Sequence, residues 1–201
     1  EAGVPLAKLA RYCVKLGYEN AAYLVGIPGS VGGALRMNAE AYGCTVWSHV
    51  KTVTVLTTKG IEVRTPKDFL IGYRQVQVPK DFIAFLSAQM YFPKGDVELG
   101  KAKMKQSLQK RNKAQPIGTF NCGSVFRNPK GRSAGRLIDD VGLRGYTIGD
   151  ARISPKHGNF IENMGSATVR DTLKLIHLMK TAVWNTYKIR LNLEVKNYAE
   201  T

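Results

Sequence analysis

Four short segments carry residue types that could do chemistry. The run GIPGSVGGALRMNA places Gly26, Gly29, Gly32 and Gly33 within residues 26–33, with Ile27, Pro28, Ser30 and Val31 between them and Asn38 just beyond. Such glycine density suits a backbone that must come close to a ligand and turn N–H groups toward phosphate oxygens. The pattern is neither G-x-G-x-x-G nor a Walker loop, so a purely structural cluster of turns stands beside that reading. In IGYRQ, Tyr73 and Arg74 set an aromatic ring beside a permanent cation, which taken alone is an ordinary strand end. NCGSVFRNP offers Ser124, Arg127 and Asn128; a serine after glycine suggests an exposed hydroxyl, but no G-x-S-x-G elbow is present and no His–Asp partners are indicated. Glu194 is an acid in an otherwise apolar stretch, the usual mark of a solvent-facing strand residue.

The elements that must position these residues are mixed. Leu6, Leu9, Ala10, Cys13 and Leu16 recur at helical spacing, with Gly17 as a stop. VKTVTVLTTKGIEVRT alternates like two strands about a turn at Lys59-Gly60, and FIAFLSAQMYF is a third strand. A basic helix follows, with Leu99, Ala102 and Leu108 as a weak apolar stripe. The segment 113–135, rich in Pro and Gly, reads as a domain seam. Beyond it, AGRLIDDVGLRG predicts a short helix and DARISPKHGNFIENMG two short strands. The clearest helix starts near Ser166, where Thr168 and Asp171 resemble a capping box and Val169, Leu173, Ile176, Val183 and Tyr187 mark a buried face. IRLNLEVKNY closes the chain as a last strand. Without regular βαβ alternation, the expected class is α+β rather than a doubly wound sheet.

The chain has 201 residues, 30 Lys+Arg against 15 Asp+Glu and a formal charge of +15. Apolar residues make up 44% and charged residues 22%, which excludes a disordered chain. No apolar run is long enough to span a bilayer. Three distant cysteines, Cys13, Cys44 and Cys122, argue against a disulfide framework or a zinc site and for a reducing, cytoplasmic compartment, with no metal expected. The charge invites a nucleic-acid reading, and the densest block, KAKMKQSLQKRNK, has no acid. It also lacks interleaved aromatics, and no nucleic-acid-binding signature occurs elsewhere, so a solvated helix face or a site for a small anionic ligand competes with it.

In order, the segments resemble the UDP-N-acetylenolpyruvoylglucosamine reductase family from about Gly3 to Tyr198. The resemblance is carried by GIPGSVGGA with MNA and AYG, then IGYR, CGSVFRNP, AGRLID with GLRG, KHGNFIEN and the terminal LEV. It implies the second lobe of a PCMH/vanillyl-alcohol-oxidase-type FAD-binding domain over 1–113, then a small α+β substrate-binding domain over 114–201. It also implies that the family's first lobe, with another glycine-rich loop, is missing here. Because the chain opens on Glu1 rather than Met, a truncated piece of the shorter subtype is the expectation.

The activity implied is NADPH-dependent, FAD-mediated reduction of UDP-N-acetylglucosamine enolpyruvate to UDP-N-acetylmuramate, for peptidoglycan synthesis, by a cytoplasmic protein expected to be a monomer. Matched to the family's catalytic positions, Arg74 grips the substrate carboxylate as charge develops there. Ser124 gives the proton to carbon, and Glu194, protonated through burial, donates a hydrogen bond to the enolate. Gly26, Ile27, Pro28, Gly29, Ser30, Val31, Gly32, Gly33 and Asn38 fall to the flavin; Tyr73, Lys113, Asn128 and His157 fall to the substrate. Three departures bear on activity. Glu40 stands where relatives have glycine, putting a charged side chain into a tight turn; Asp150 follows Gly149 in place of a second glycine; and Asn192 replaces an acid. A flavin-free scaffold that binds a sugar nucleotide and a basic nucleic-acid-binding module are the alternatives.

Overall fold

The structure, a computed structural model, describes residues 1–196. The chain divides into two compact units, Glu1–Arg111 and Asn112–Thr201, each with its own apolar core. Both mix helices with antiparallel sheets, so the class is α+β.

The first unit opens with α1, Leu6–Lys15, which buries Leu6, Ala10 and Val14. Leu16, expected on that face, is 46% exposed, because the helix has ended and Gly17 turns the chain at φ +83°. A 3-10 turn, Glu19–Gly26, leads into α2, Val31–Met37, and a hairpin of β1, Glu40–Ala41, and β2, Cys44–Thr45. Strands β3, Val50–Thr57, and β4, Gly60–Arg64, form the anticipated pair, and β7, Phe82–Met90, completes a sheet in the order β4-β3-β7. Between them lies a separate hairpin, β5, Leu70–Gly72, and β6, Gln75–Gln77.

The basic helix α3 runs Val97–Ala114. Its inward face differs from the expected stripe: Gly100, Met104, Ser107 and Leu108 turn inward, whereas Leu99 and Ala102 are exposed. Gly100 sets this register. A Cβ there would stand 2.8 Å from Val14 Cγ1, so only glycine lets α3 close on α1 without displacement.

The second unit is built on a sheet in the order β8-β11-β10-β9: β8, Asn121–Ser124; β9, Thr147–Ile148; β10, Ala151–Ile153; β11, Phe160–Asn163. Helices α4, Ala134–Asp140, and α5, Val169–Tyr187, pack with it. The capping box of α5 is present: Asp171 N–H donates to Thr168 Oγ1 at 3.1 Å, and Thr168 N–H to Asp171 Oδ2 at 3.1 Å. The buried stripe of α5 is Leu175, Ile176, Met179 and Val183; Val169 is 66% exposed and Leu173 38%. The expected last strand is also corrected. Residues 189–196 make one bridge, Leu193 to Phe126, rather than a ladder, and Asn197 and Tyr198 lie outside the described residues. Among the described residues no helix is long and apolar enough to cross a membrane.

Candidate active site

In the first unit the candidates gather around α2. Ser30 caps the helix by accepting from Gly33 N–H at 3.3 Å. Val31 N–H donates to Val4 O at 2.9 Å and Gly32 N–H to Ala2 O at 2.8 Å. These three amides are therefore engaged within the chain and are not what the segment offers a phosphate. Two of the glycines are explained by packing. A Cβ on Gly26 would meet the Tyr42 ring at 2.9 Å, and one on Gly32 would meet Ala2 at 3.0 Å. Gly29 differs: it has φ +103°, and nothing lies within 4 Å of the position a Cβ would take. Ile27 and Val31 are core residues, and Pro28 is exposed. Val31 also lines a cavity of about 350 Å³, walled by Leu9, Cys13, Tyr18, Met90 and Phe92.

Asn38 ends α2 in the left-handed region, φ 42°, and is buried. Its Nδ2 donates to Gly72 O at 3.0 Å, while its Oδ1 is buried with no hydrogen-bond partner among the described residues. Arg36, from the same helix, donates to Val76 O at 2.8 Å, so the end of α2 holds both strands of the β5–β6 hairpin. Tyr73 and Arg74 are the two residues joining those strands, a hairpin tip rather than a strand end. Arg74 itself has φ 53°, unusual for a residue with a Cβ, and its guanidinium donates to Glu40 O at 3.5 Å and lies 5.7 Å from the Tyr73 ring. Glu40 is not in a turn: it pairs with Thr45, and Tyr42 and Gly43 take the left-handed positions.

In the second unit two distant segments converge on the backbone after Ser124. Ser124 pairs with Phe160 of β11. On the opposite edge Glu194 N–H donates to Val125 O at 2.8 Å and Arg127 N–H to Asn192 O at 2.9 Å. Ser124 and Glu194 are thus brought together through one intervening residue, although 70 positions separate them in the chain. Asn128, exposed, accepts from Ala134 N–H at 3.0 Å and so holds the start of α4. Lys113 lies exposed in the last turn of α3.

His157 sits in the loop between β10 and β11. Burial holds its pKa below the ordinary imidazole value, with the Asp139 charge working the other way. Its Nδ1 accepts from Asn159 N–H at 3.1 Å, so a neutral ring carries its proton on Nε2. A Cβ on Gly135 would stand 2.5 Å from His157 Cε1, which explains the glycine in AGRLID. The next acid in this segment was not anticipated as a buried group. Glu162 is 3% exposed and ties down Arg152 Nη2 at 2.7 Å and Ser154 Oγ at 3.0 Å; Ser154 Oγ in turn accepts from Lys156 N–H at 3.2 Å. Its signal was visible as an acid inside FIEN with Arg152 in the preceding strand.

Residues 115–198 match the sequence profile of the C-terminal domain of UDP-N-acetylenolpyruvoylglucosamine reductase, and residues 1–66 match that of an FAD binding domain. A UDP-N-acetylenolpyruvylglucosamine reductase from Thermus caldophilus superposes with a TM-score of 0.84 and 33% identity, over 97% of this chain and 70% of that one. The chain belongs to the UDP-N-acetylenolpyruvoylglucosamine reductase family. The reductase of Coxiella burnetii is 46% identical over 196 residues, and that of Alkalilimnicola ehrlichii 43%. Those matches cover 97% of this chain but 62% and 65% of the two reductases. This family member therefore spans less than two thirds of the length of these relatives.

Proposed function

We propose that the full-length protein carrying this chain is an NADPH-dependent, FAD-containing reductase of UDP-N-acetylglucosamine enolpyruvate, forming UDP-N-acetylmuramate for peptidoglycan. It works in the cytoplasm as a monomer and does not act on nucleic acid. Residues 1–113 serve the flavin and also lend Tyr73, Arg74 and Lys113 to the substrate, and 114–201 serve the substrate. The observation that supports the reading is the backbone convergence on Val125, which sets the Ser124 and Glu194 segments side by side.

The residues fit a flavin. The unsatisfied Asn38 Oδ1 is an acceptor for an N–H donor, and Gly29 leaves the backbone open to close approach. Gly26, Ile27, Pro28, Ser30, Val31, Gly32 and Gly33 shape that loop. Held by Asn38 and the Gly29 backbone, FAD would supply the redox chemistry, carrying hydride from NADPH to the terminal methylene carbon of the enol ether.

Every remaining task falls to side chains. Arg74 holds the substrate carboxylate with paired N–H groups and is already charged as negative charge builds on it, which lowers the barrier without reorganisation. Glu194, in its protonated form, donates a hydrogen bond to the enolate oxygen. Ser124 Oγ–H delivers the proton to the adjacent carbon, where placement outweighs the weak acidity of a hydroxyl. Tyr73, Asn128 and the neutral His157 orient the substrate, and Lys113 receives its diphosphate.

The test is the visible spectrum of the full-length protein. Under anaerobic NADPH the flavin absorbance should bleach, and adding the enolpyruvyl sugar nucleotide should restore it. A folded, colourless protein, or bleaching that the substrate does not reverse, would overturn the assignment.

A further inference from the structure

Asn159 is only 3% exposed and makes an unusual set of bonds for a side chain. Its Oδ1 accepts from Phe126 N–H at 3.0 Å, and its Nδ2 donates to Phe126 O at 2.8 Å. Its own backbone carbonyl accepts from Val125 N–H at 2.9 Å. The carboxamide therefore acts as one more peptide unit of β11, extending the ladder past the Ser124–Phe160 pair on the side away from the register shift between Phe160 and Glu162. Backbone bonds from 192–194 hold the other edge of the same stretch. The Asn159 N–H completes the arrangement by donating to His157 Nδ1.

Resting on the reading of Ser124 as proton donor, we infer that Asn159 is a positioning residue for proton delivery. It fixes the backbone immediately after Ser124, and so the place from which the hydroxyl acts, and it ties that backbone to the loop bearing His157. Asparagine is specific here because the role needs one acceptor and one donor at peptide spacing. Aspartate has the same shape but keeps only the acceptor. Alanine keeps neither.

The experiment uses the full-length flavoprotein and follows the two half-reactions separately in a stopped-flow instrument. Flavin reduction by NADPH does not involve Ser124 and should stay within about twofold in Asn159→Asp and Asn159→Ala, which also reports that each variant is folded and loaded. Reoxidation by the enolpyruvyl substrate should fall by about 10-fold in Asn159→Asp and about 100-fold in Asn159→Ala, the scale expected when a catalytic group is displaced by an ångström. The discriminating arm is a double-mutant cycle. In a Ser124→Ala background, Asn159→Ala should slow reoxidation by no more than about twofold further, because the group it positions is gone.

Full additivity in the cycle, unchanged reoxidation in the single variants, or failure of both variants to fold would each overturn the positioning role. If the wild-type flavin is reduced but not reoxidised by this substrate, the proposed function fails instead, and the two failures are told apart by the wild-type trace alone.

Discussion

Arg74 has two unusual properties at once: it occupies a hairpin tip at φ 53°, and it is matched to a catalytic role. The left-handed conformation costs a residue with a Cβ roughly 1–2 kcal/mol relative to glycine, a strain kept where something other than stability is selected. Arg74→Gly should therefore leave the thermal midpoint unchanged or raise it, while lowering turnover by about 100- to 1,000-fold through loss of the carboxylate clamp. A melt and a steady-state assay on one preparation check both halves; a variant that is less stable and still active would refute the argument. His157 makes a prediction of the opposite kind. Burial lowers its folded pKa below the ordinary 6.5, so the unfolded chain takes up the proton first as pH falls. Its contribution to stability is intact above that value and declines as pH drops beneath it toward the folded pKa. Glu19, Asp81 and Asp171, held low by hydrogen bonds, lose theirs at more acid pH, below the ordinary carboxylate range. Between about pH 7.5 and about pH 5.5 the wild-type melting point should thus fall more than that of His157→Gln, and parallel curves would count against a buried neutral ring.

At the scale of elements, helix α3 allows its packing to be tested directly. Gly100→Leu must push α3 off Val14, and overpacking of this kind costs about 1–3 kcal/mol, more than the roughly 1 kcal/mol that leaving glycine returns in helix propensity. Leu99→Ala, on the exposed side, should change stability by less than about 0.5 kcal/mol. Urea midpoints for the two variants give the answer, and the reverse ranking would restore the stripe that the sequence pattern suggested. That pattern shows why elements were legible and faces less so. The capping box of α5 and the strand FIAFLSAQM are local signals that formed where expected, whereas the β3–β4 turn falls one residue earlier than expected, at Thr58-Lys59, because Gly60 pairs with Thr57. The inward faces of α3 and α5 depend on what lies opposite. In α3 a glycine marks the contact, which hydrophobicity does not register. In α5 the apolar residues go most of the way round, and the neighbouring helix and sheet select Leu175 and Met179 over Val169 and Leu173. The candidate site residues stand out as motifs, whereas Asn159 and Glu162 do not: both work through backbone and buried polar atoms, and spacing in the chain does not reveal burial.

For the molecule as a whole, the consequential fact is that the two units have separate cores. The first is centred on Leu24, Leu35, Val53 and Val55, and the second on Ile138, Ile153, Leu175 and Met179, all buried completely. A core lesion should therefore be felt mainly within its own unit. Met179→Ala removes a fully buried side chain from the second core, and substitutions of this type cost about 2–5 kcal/mol through lost transfer energy and the cavity left behind. Amide hydrogen exchange on the full-length protein distinguishes a local from a shared cost. Protection should fall across β10, β11 and α5, including the Phe126 amide held by Asn159. The amides of β3 and β7 should keep their protection to within about 0.5 kcal/mol, the limit within which distant sites behave independently. If both sets of amides lose protection equally, the protein unfolds as one cooperative body and the two cores are not independent.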